Sequence, residues 1–330
     1  MAKSVLLIGG AGYIGPVIAE ELLKEGYSVK ILDSLIYDNF FAISHLVKYQ
    51  GFHFIEGDMG DAKFLSEAVQ GVTDVVLLGG LVGDPISRRY PQLARNTNEI
   101  SVQTCIKYLS KLNLEHVVFI STCSNYGLIP EGHLADEDYP LSPLSPYSLA
   151  KVNAEKLLNS LKLEEGFSPT ILRFATAFGL APRMRFDLTV NEFTKEIVNG
   201  TELTVFDPDT WRPYCHVKDF ATIVKLVIQV EPKKVAFQTF NAGSQENNFT
   251  KRQIIEMIST HINPRKVIFK DNGGDPRNYK VNFSKIKQDL GFVPSMSVAD
   301  GISEIIEELK INRFEDLRGN KNRFGNYSLG

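Results

Sequence analysis

A doubly wound α/β fold, with a parallel sheet covered by helices on both faces and a smaller C-terminal α/β lobe, is what this sequence predicts. Three observations carry that expectation. Short apolar, β-branched runs alternate with longer amphipathic segments as far as Phe174. A glycine cluster, GGAGYIG, stands directly between the first such run and the first amphipathic segment. After Gly179 the alternation breaks, and Arg, Phe, Asp and Pro are mixed throughout. Regular alternation of this kind implies parallel strands joined by crossover helices.

In chain order, the runs at 4–8, 28–32, 52–56, 75–78, 117–120 and 169–174 read as strands. Each is too short for a helix and is bounded by turn-forming residues. The segments at 13–25, 62–69, 91–111 and 146–161 read as the intervening helices. Residues 1–179 are therefore expected to form one nucleotide-binding unit of Rossmann type, to which 214–243 returns. Residues 180–213 and 244–330 are expected to form the smaller lobe, with helices at 251–262 and 298–311. The tail NRFGNYSLG reads as loosely held or laid on a surface.

The bulk figures narrow the partners. A chain of 330 residues suits one large α/β unit with an attached lobe. Its net charge of -3 gives no reason to expect nucleic acid or an anionic membrane. Phosphorylated ligands would have to be held by local groups. Three cysteines, Cys105, Cys123 and Cys215, fit neither a zinc site nor a redox pair, and a reduced, cytoplasmic setting is the expectation. The six histidines show no metal-ligand spacing. The apolar run near the N-terminus is short and enters a glycine turn, so it reads as a strand and not as a signal peptide. No apolar stretch approaches the ~20 residues that span a bilayer.

GGAGYIG fits both Gly-x-x-Gly-x-x-Gly (Gly9, Gly12, Gly15) and Gly-x-Gly-x-x-Gly (Gly10, Gly12, Gly15). Both patterns serve one end. Backbone without Cβ lets amides approach a pyrophosphate, and the positive end of the following helix faces the anion. The second strand ends at Asp33, about 20 residues beyond the glycines, where a carboxylate can accept from ribose hydroxyls. It would repel a 2′-phosphate, and no Arg or Lys follows it immediately, which favours NAD over NADP. In GDMGD, Asp58 and Met59 either meet the adenine or, for Asp58, cap the next helix.

Two further motifs carry chemistry. FISTCSNYG (119–127) ends an apolar run in small polar side chains: a plain strand terminus, or a row of hydroxyls at the mouth of a site. SPYSLAKVNAE (145–155) places Tyr147 and Lys151 four apart on one helical face. A phenol with pKa near ~10 is a poor base at neutral pH. An adjacent ammonium stabilises the phenolate, which makes Tyr147 a candidate base for a sugar or alcohol hydroxyl.

With these residues in view, the chain resembles the extended short-chain dehydrogenases, in the nucleotide-sugar epimerase/dehydratase group. The resemblance covers almost the whole chain and rests on GGAGYIG, Asp33, GDMGD, Asn98, STCSNYG, SPYSLAK, RFATAFG and RPYCHVKD. It implies a seven-stranded sheet and a catalytic set of Thr122, Tyr147 and Lys151. The implied NAD contacts are Gly9, Gly12, Tyr13, Ile14, Gly15, Asp33, Asp58, Met59, Leu78, Gly79, Gly80 and Asn98, together with Tyr147 and Lys151. For a nucleotide-diphosphate sugar they are Cys123, Ser124, Thr176, Arg185, Asn191, Arg212 and Arg277. It also implies a homodimer built through two helices of the cofactor domain.

In the 4,6-dehydratases of that group, Asp and Glu follow the triad Thr and eliminate water from the sugar. Here Cys123 and Ser124 stand in those places, which argues against dehydration. What remains is hydride transfer at the fourth sugar carbon, by an epimerase or by a dehydrogenase that releases the ketone. LVGDP (81–85), PRMRFDLTVNEF (182–193) and the NRFGNY tail are similar, more loosely, to dehydrogenases acting at the fourth carbon of a nucleotide-linked heptose. Thr176 stands where many relatives carry Asn. Two other classes share the fold. A non-catalytic dinucleotide sensor would not need Thr122, Tyr147 and Lys151 together. A lipid- or steroid-directed dehydrogenase would not need Arg183, Arg185, Arg212 and Arg277 to bind a diphosphate.

Overall fold

The computed structural model describes residues 3–161, 167–271, 277–314 and 323–329. Its strands are β1 (Ser4–Ile8), β2 (Ser28–Asp33), β3 (Phe52–Glu56), β4 (Asp74–Leu77), β5 (His116–Thr122), β6 (Pro169–Phe174), β7 (Thr176–Phe178), β8 (Leu203–Phe206), β9 (Trp211–His216), β10 (Thr239–Ala242), β11 (Asn248–Thr250) and β12 (Val267–Lys270). The α-helices are α1 (Gly15–Lys24), α2 (Ala62–Ala68), α3 (Asp84–Arg89), α4 (Pro91–Arg95), α5 (Val102–Leu109), α6 (Pro146–Ser160), α7 (Thr189–Val198), α8 (Val217–Gln229), α9 (Pro232–Val235), α10 (Lys251–Ser259), α11 (Ser284–Leu290) and α12 (Val298–Lys310).

Seven strands make one parallel sheet in the order β10-β6-β5-β4-β1-β2-β3. The order reverses between β1 and β4. In sheets wound this way a crevice opens there, beyond the strands' C-terminal ends. The central strands are apolar along both faces because helices cover both. Val5 and Leu7 of β1 enter the core beneath α1 and α8, whereas Leu6 and Ile8 enter the core beneath α2 and α5. Residues of β5 divide the same way, Val118 and Ile120 against Val117 and Phe119.

Beyond the sheet's C-terminal edge, β7, β9 and β11 form a three-stranded sheet and β8 pairs with β12. These pieces share a separate apolar core with α7, α10 and α12, built on Phe193, Val205, Ile254 and Ile302. The stretch 180–213, which gave no clear rhythm in sequence, contains α7 and β8.

One element differs from expectation. The segment 91–111 is not one α-helix. A π-helical turn, Asn96–Ser101, separates α4 from α5. Interruptions of this kind gather at functional sites, and this one carries Asn98 against the loop after β4. Of the two readings of the tail, loosely held or laid on a surface, residues 323–329 follow the second. They are bonded to residues 82, 89, 90 and 183. No helix among the described residues is long and apolar enough to cross a membrane.

Candidate active site

The crevice is a cavity of about 800 Å³ above the ends of β1, β2, β4 and β5. Its floor is the glycine turn. Gly9 has φ +78°, and a Cβ there would stand 2.4 Å from Gly79 Cα, so the turn lies flush against the end of β4. A Cβ on Gly15 would stand 2.2 Å from the Gly10 carbonyl oxygen, which fixes how closely α1 starts beneath the loop. Gly12 differs. It lines the cavity, and a Cβ there would meet nothing nearer than 4.0 Å. No side chain caps α1 and no acid stands in its first turn. The turn therefore offers open backbone and the positive end of a helix to an anion, which fits the pyrophosphate of a dinucleotide.

Around that floor stand Tyr13, Ile14, Asp33, Asp58, Met59, Leu78, Gly79 and Gly80, all in the cavity wall. Asp33 also braces the turn: its carboxylate accepts from the Ala11 amide and the Leu35 amide, both at 2.9 Å. Burial raises its pKa against those two amides and the charge of Arg183. Asp58 accepts from the Gly60 amide at 2.7 Å, and the cap of α2 is Asp61 instead.

The opposite wall carries Thr122, Ser124, Tyr147 and Lys151. Ser145 caps α6 through a reciprocal pair with Ser148, and Pro146 opens the helix, so Tyr147 sits in its first turn. Lys151 is 6% exposed. Its ammonium donates to the Ile120 carbonyl at 2.7 Å and lies 5.9 Å from the centre of the Tyr147 ring. Burial, only partly opposed by Glu155, lowers its pKa to about 8. Thr122 Oγ1 accepts from the Ser124 amide at 3.1 Å, an arrangement that leaves its own O–H able to donate toward the cavity.

Beneath this wall lies a polar network that sequence reasoning missed. Glu155, one turn beyond Lys151, is buried and accepts from Ser121 Oγ (2.5 Å), Asn125 Nδ2 (2.9 Å) and Arg173 Nη2 (2.8 Å). Arg173 also donates to Tyr126, which donates in turn to Asn241 on β10. The i, i+4, i+8 spacing of Tyr147, Lys151 and Glu155 was a usable signal. The Arg173 partner was not, because it comes from another strand.

Arg185, Arg212, Arg277 and Thr176 also reach the cavity. Arg212 lies 5.1 Å from the Tyr279 ring, whose hydroxyl is 3.2 Å from Ser124 Oγ. Arg185 is already engaged, forking onto Asp187 at 2.7 and 2.6 Å. Arg183, one of the four arginines expected at a diphosphate, lines the cavity too, and four more lining residues, Asp187, Glu192, Asn326 and Tyr327, were not among the expected contacts. They fall within the quoted stretch 182–193 and the tail.

Three expected contacts lie outside the cavity lining. Cys123 is 1% exposed and turned into the core, where its thiol donates to the Arg173 carbonyl; burial pushes its pKa far up. Asn191 is fully buried and holds Tyr13 Oη, the Arg185 carbonyl and the Gly179 amide. Asn98 spends its amide on both backbone groups of Leu81, at 2.7 and 3.0 Å. None of the three lines the cavity. Each side chain finds its hydrogen bonds inside the protein.

At the far edge of the sheet, Asp74, Glu115 and His116 bring ligand-type atoms within 4.8 Å, the one such group among the described residues. The Lys3 ammonium stands 3.0 Å from Glu115 and 3.5 Å from Asp74. His116 spends its two nitrogens on Asp74 and the Val230 carbonyl. Lysine is thus the cation of that cluster.

A family model described as the NAD dependent epimerase/dehydratase family matches residues 5–243. An uncharacterized UDP-glucose epimerase of Bacillus subtilis is 29% identical over 92% of this chain and 97% of its own. A dTDP-glucose 4,6-dehydratase of Streptomyces niveus is 25% identical over 94% and 93%. Among solved structures, the UDP-glucuronic acid 4-epimerase of Bacillus cereus, in complex with UDP-glucuronic acid and NAD, superposes with a TM-score of 0.84. It is 25% identical, with 94% of this chain and 99% of that one covered.

Proposed function

From the premise that this chain belongs to the NAD-dependent epimerase/dehydratase family, we propose that it is a nucleotide-sugar epimerase acting at the fourth carbon of the sugar. The observation that supports this most is the gathering of Thr122, Tyr147 and Lys151 in one wall of the cavity whose floor is the glycine turn. NAD, which the glycine turn, Asp33 and Lys151 would hold, would supply the reversible hydride acceptor. Its pyrophosphate fits the open backbone at Gly12 and the uncapped start of α1.

Tyr147 takes the proton of the sugar hydroxyl and gives it back. Lys151, held on the Ile120 carbonyl, keeps a positive charge beside the phenol and favours its ionised form. Thr122 donates to the same sugar oxygen and fixes its position. Arg212 and Arg277 neutralise the diphosphate, with Ser124 and Thr176 nearer the sugar. Elimination of water is disfavoured. It needs a carboxyl acid and base beside Thr122, and the chain offers a thiol facing the core and a serine.

A second reading, a dehydrogenase that releases the 4-keto sugar, is supported by residues 81–85, 182–193 and the tail. All three segments contribute to the cavity wall. We also assign a homodimer to the helices at 91–109 and α6, which carry the exposed Ile100 and Leu149; sedimentation of the purified chain tests it.

The deciding experiment incubates purified protein with NAD and a panel of UDP-, dTDP- and GDP-sugars and reads products by chromatography and mass spectrometry. A new isomer of unchanged mass supports the epimerase. Loss of two hydrogens with NADH formed selects the dehydrogenase, and loss of water overturns the case against dehydration. No conversion of any sugar overturns the reading.

A further inference from the structure

Two strands flank β1 in the sheet, β2 on one side and β4 on the other. A segment tied to the loops beyond both joins the two sides of the cavity whose floor is the glycine turn. The C-terminal segment 323–329 is tied in this way. On the β2 side, the Phe324 ring meets Phe41 edge-on at 6.2 Å and the Arg323 guanidinium lies 4.6 Å over the same ring. On the β4 side, Asn326 Nδ2 donates to the Val82 carbonyl at 3.0 Å and Arg89 donates to the Tyr327 carbonyl at 3.2 Å. Leu329 exchanges hydrogen bonds with the Tyr90 hydroxyl and packs on Leu81 and Ile86.

The middle of the segment is fastened from below. Arg183 is 1% exposed, and its guanidinium donates to the Gly325 carbonyl and Asn326 Oδ1, both at 3.0 Å. That same guanidinium lies 4.7 Å from the centre of the Tyr37 ring, in the loop after β2. Asn326 and Tyr327 themselves line the cavity. Asn326 thus joins three pieces far apart in sequence: the tail, the loop after β4 and the stretch that carries Arg183.

We infer that residues 323–329 are part of the cofactor site. They form a strap across the dinucleotide cleft, held by Asn326, Arg89 and Tyr90, that would keep a bound cofactor resident from one turnover to the next. This rests on the reading above, in which the dinucleotide lies over the glycine turn. A ligand stretched from Asp33 to Lys151 passes beneath the strap, and its release requires the bonds of Asn326, Arg89 and Tyr90 to open together. A resident cofactor suits a redox-neutral epimerisation, in which each cycle restores the oxidised form.

The test loads the full chain with NADH, removes free nucleotide, and follows NADH fluorescence after a chase with excess NAD. The comparison variants are a chain ending after residue 322 and Asn326→Ala. Release is expected to be faster by on the order of a hundredfold in the truncated chain and about tenfold in Asn326→Ala, with melting temperature checked for both. If truncation unfolds the protein, Asn326→Ala alone decides. Release at an unchanged rate from a folded variant that still binds NADH overturns the strap while leaving the proposed reaction standing. Failure of the unaltered chain to bind NADH or NAD at all overturns both.

Discussion

The glycine floor of the cavity and its arginine wall are built by different means. The first is backbone, supplied by Gly9 to Gly15 and Leu78 to Gly80 at the ends of two adjacent strands. Its shape is set by places where a Cβ cannot stand, such as Gly15 against the Gly10 carbonyl. The second is side chain, drawn from residues within 183–192 together with Arg212, Arg277 and Tyr279. Its charges are partly spent before any ligand arrives: Arg185 on Asp187, and Arg183 on the tail. A backbone floor serves any ligand with the same phosphate spacing. A side-chain wall can be retuned one residue at a time, and substrate choice is therefore expected to reside there.

Substitutions can break or sharpen this contrast. Tyr147→Phe should lower kcat by roughly a thousandfold while NADH affinity stays within about twofold, because only the proton-transfer group is lost. Full turnover in that variant would remove Tyr147 from the mechanism. Gly15→Ala should weaken NADH binding on the order of a hundredfold, since a Cβ 2.2 Å from a backbone oxygen forces the turn apart; fluorescence titration measures it. Arg212→Ala should raise KM for the nucleotide sugar roughly 10–100-fold with NADH affinity unchanged, the loss of one charge-assisted contact. A matching loss of NADH affinity would mean that the floor and the wall are not separable.

The bonds around Glu304 give the smallest effect. Glu304 on α12 accepts from the Leu180 amide, lies 2.6 Å from His216 Nε2 and pairs with Lys218. Burial alone would raise its pKa. The bond and charge of His216 outweigh that, helped by Leu180 and Lys218, and bring it to about 2. A carboxyl depressed in the folded state stabilises the protein above its ordinary pKa of 4.5, and that contribution fades as pH falls from there through about 2. Glu304→Gln should therefore cost about 2 kcal/mol at neutral pH and progressively less toward pH 3, read from denaturant midpoints. An equal loss at both pH values would assign the effect to packing.

Much of the fold was legible because its signals are local. Parallel strands buried on both faces need unbroken apolar runs, and those runs are visible in β1, β4, β5 and β6. The glycine turn and the Tyr147–Lys151 spacing are legible for the same reason, since each feature fits within a few residues. Asn98, Asn191 and Cys123 were expected at ligands and are instead bonded within the protein, because position along a chain does not say which way a side chain turns. A π-helical turn swings Asn98 onto Leu81, and Asn191 is claimed by Tyr13 and Gly179. Arg185 was half legible, with its neutralising partner two residues on at Asp187.

What the sequence by itself determined is the sheet, its winding and the family, since short-range apolar periodicity and glycine sterics leave few other ways to bury these segments. What only the tertiary structure decided is how the charged and amide side chains are shared out. Glu155 meets Arg173, Arg183 meets Asn326, and Asn326 of the tail meets the Val82 carbonyl. Each pairing joins segments distant in sequence, and a buried polar group takes whichever partner the fold brings within about 3 Å. No pattern along the chain encodes that distance.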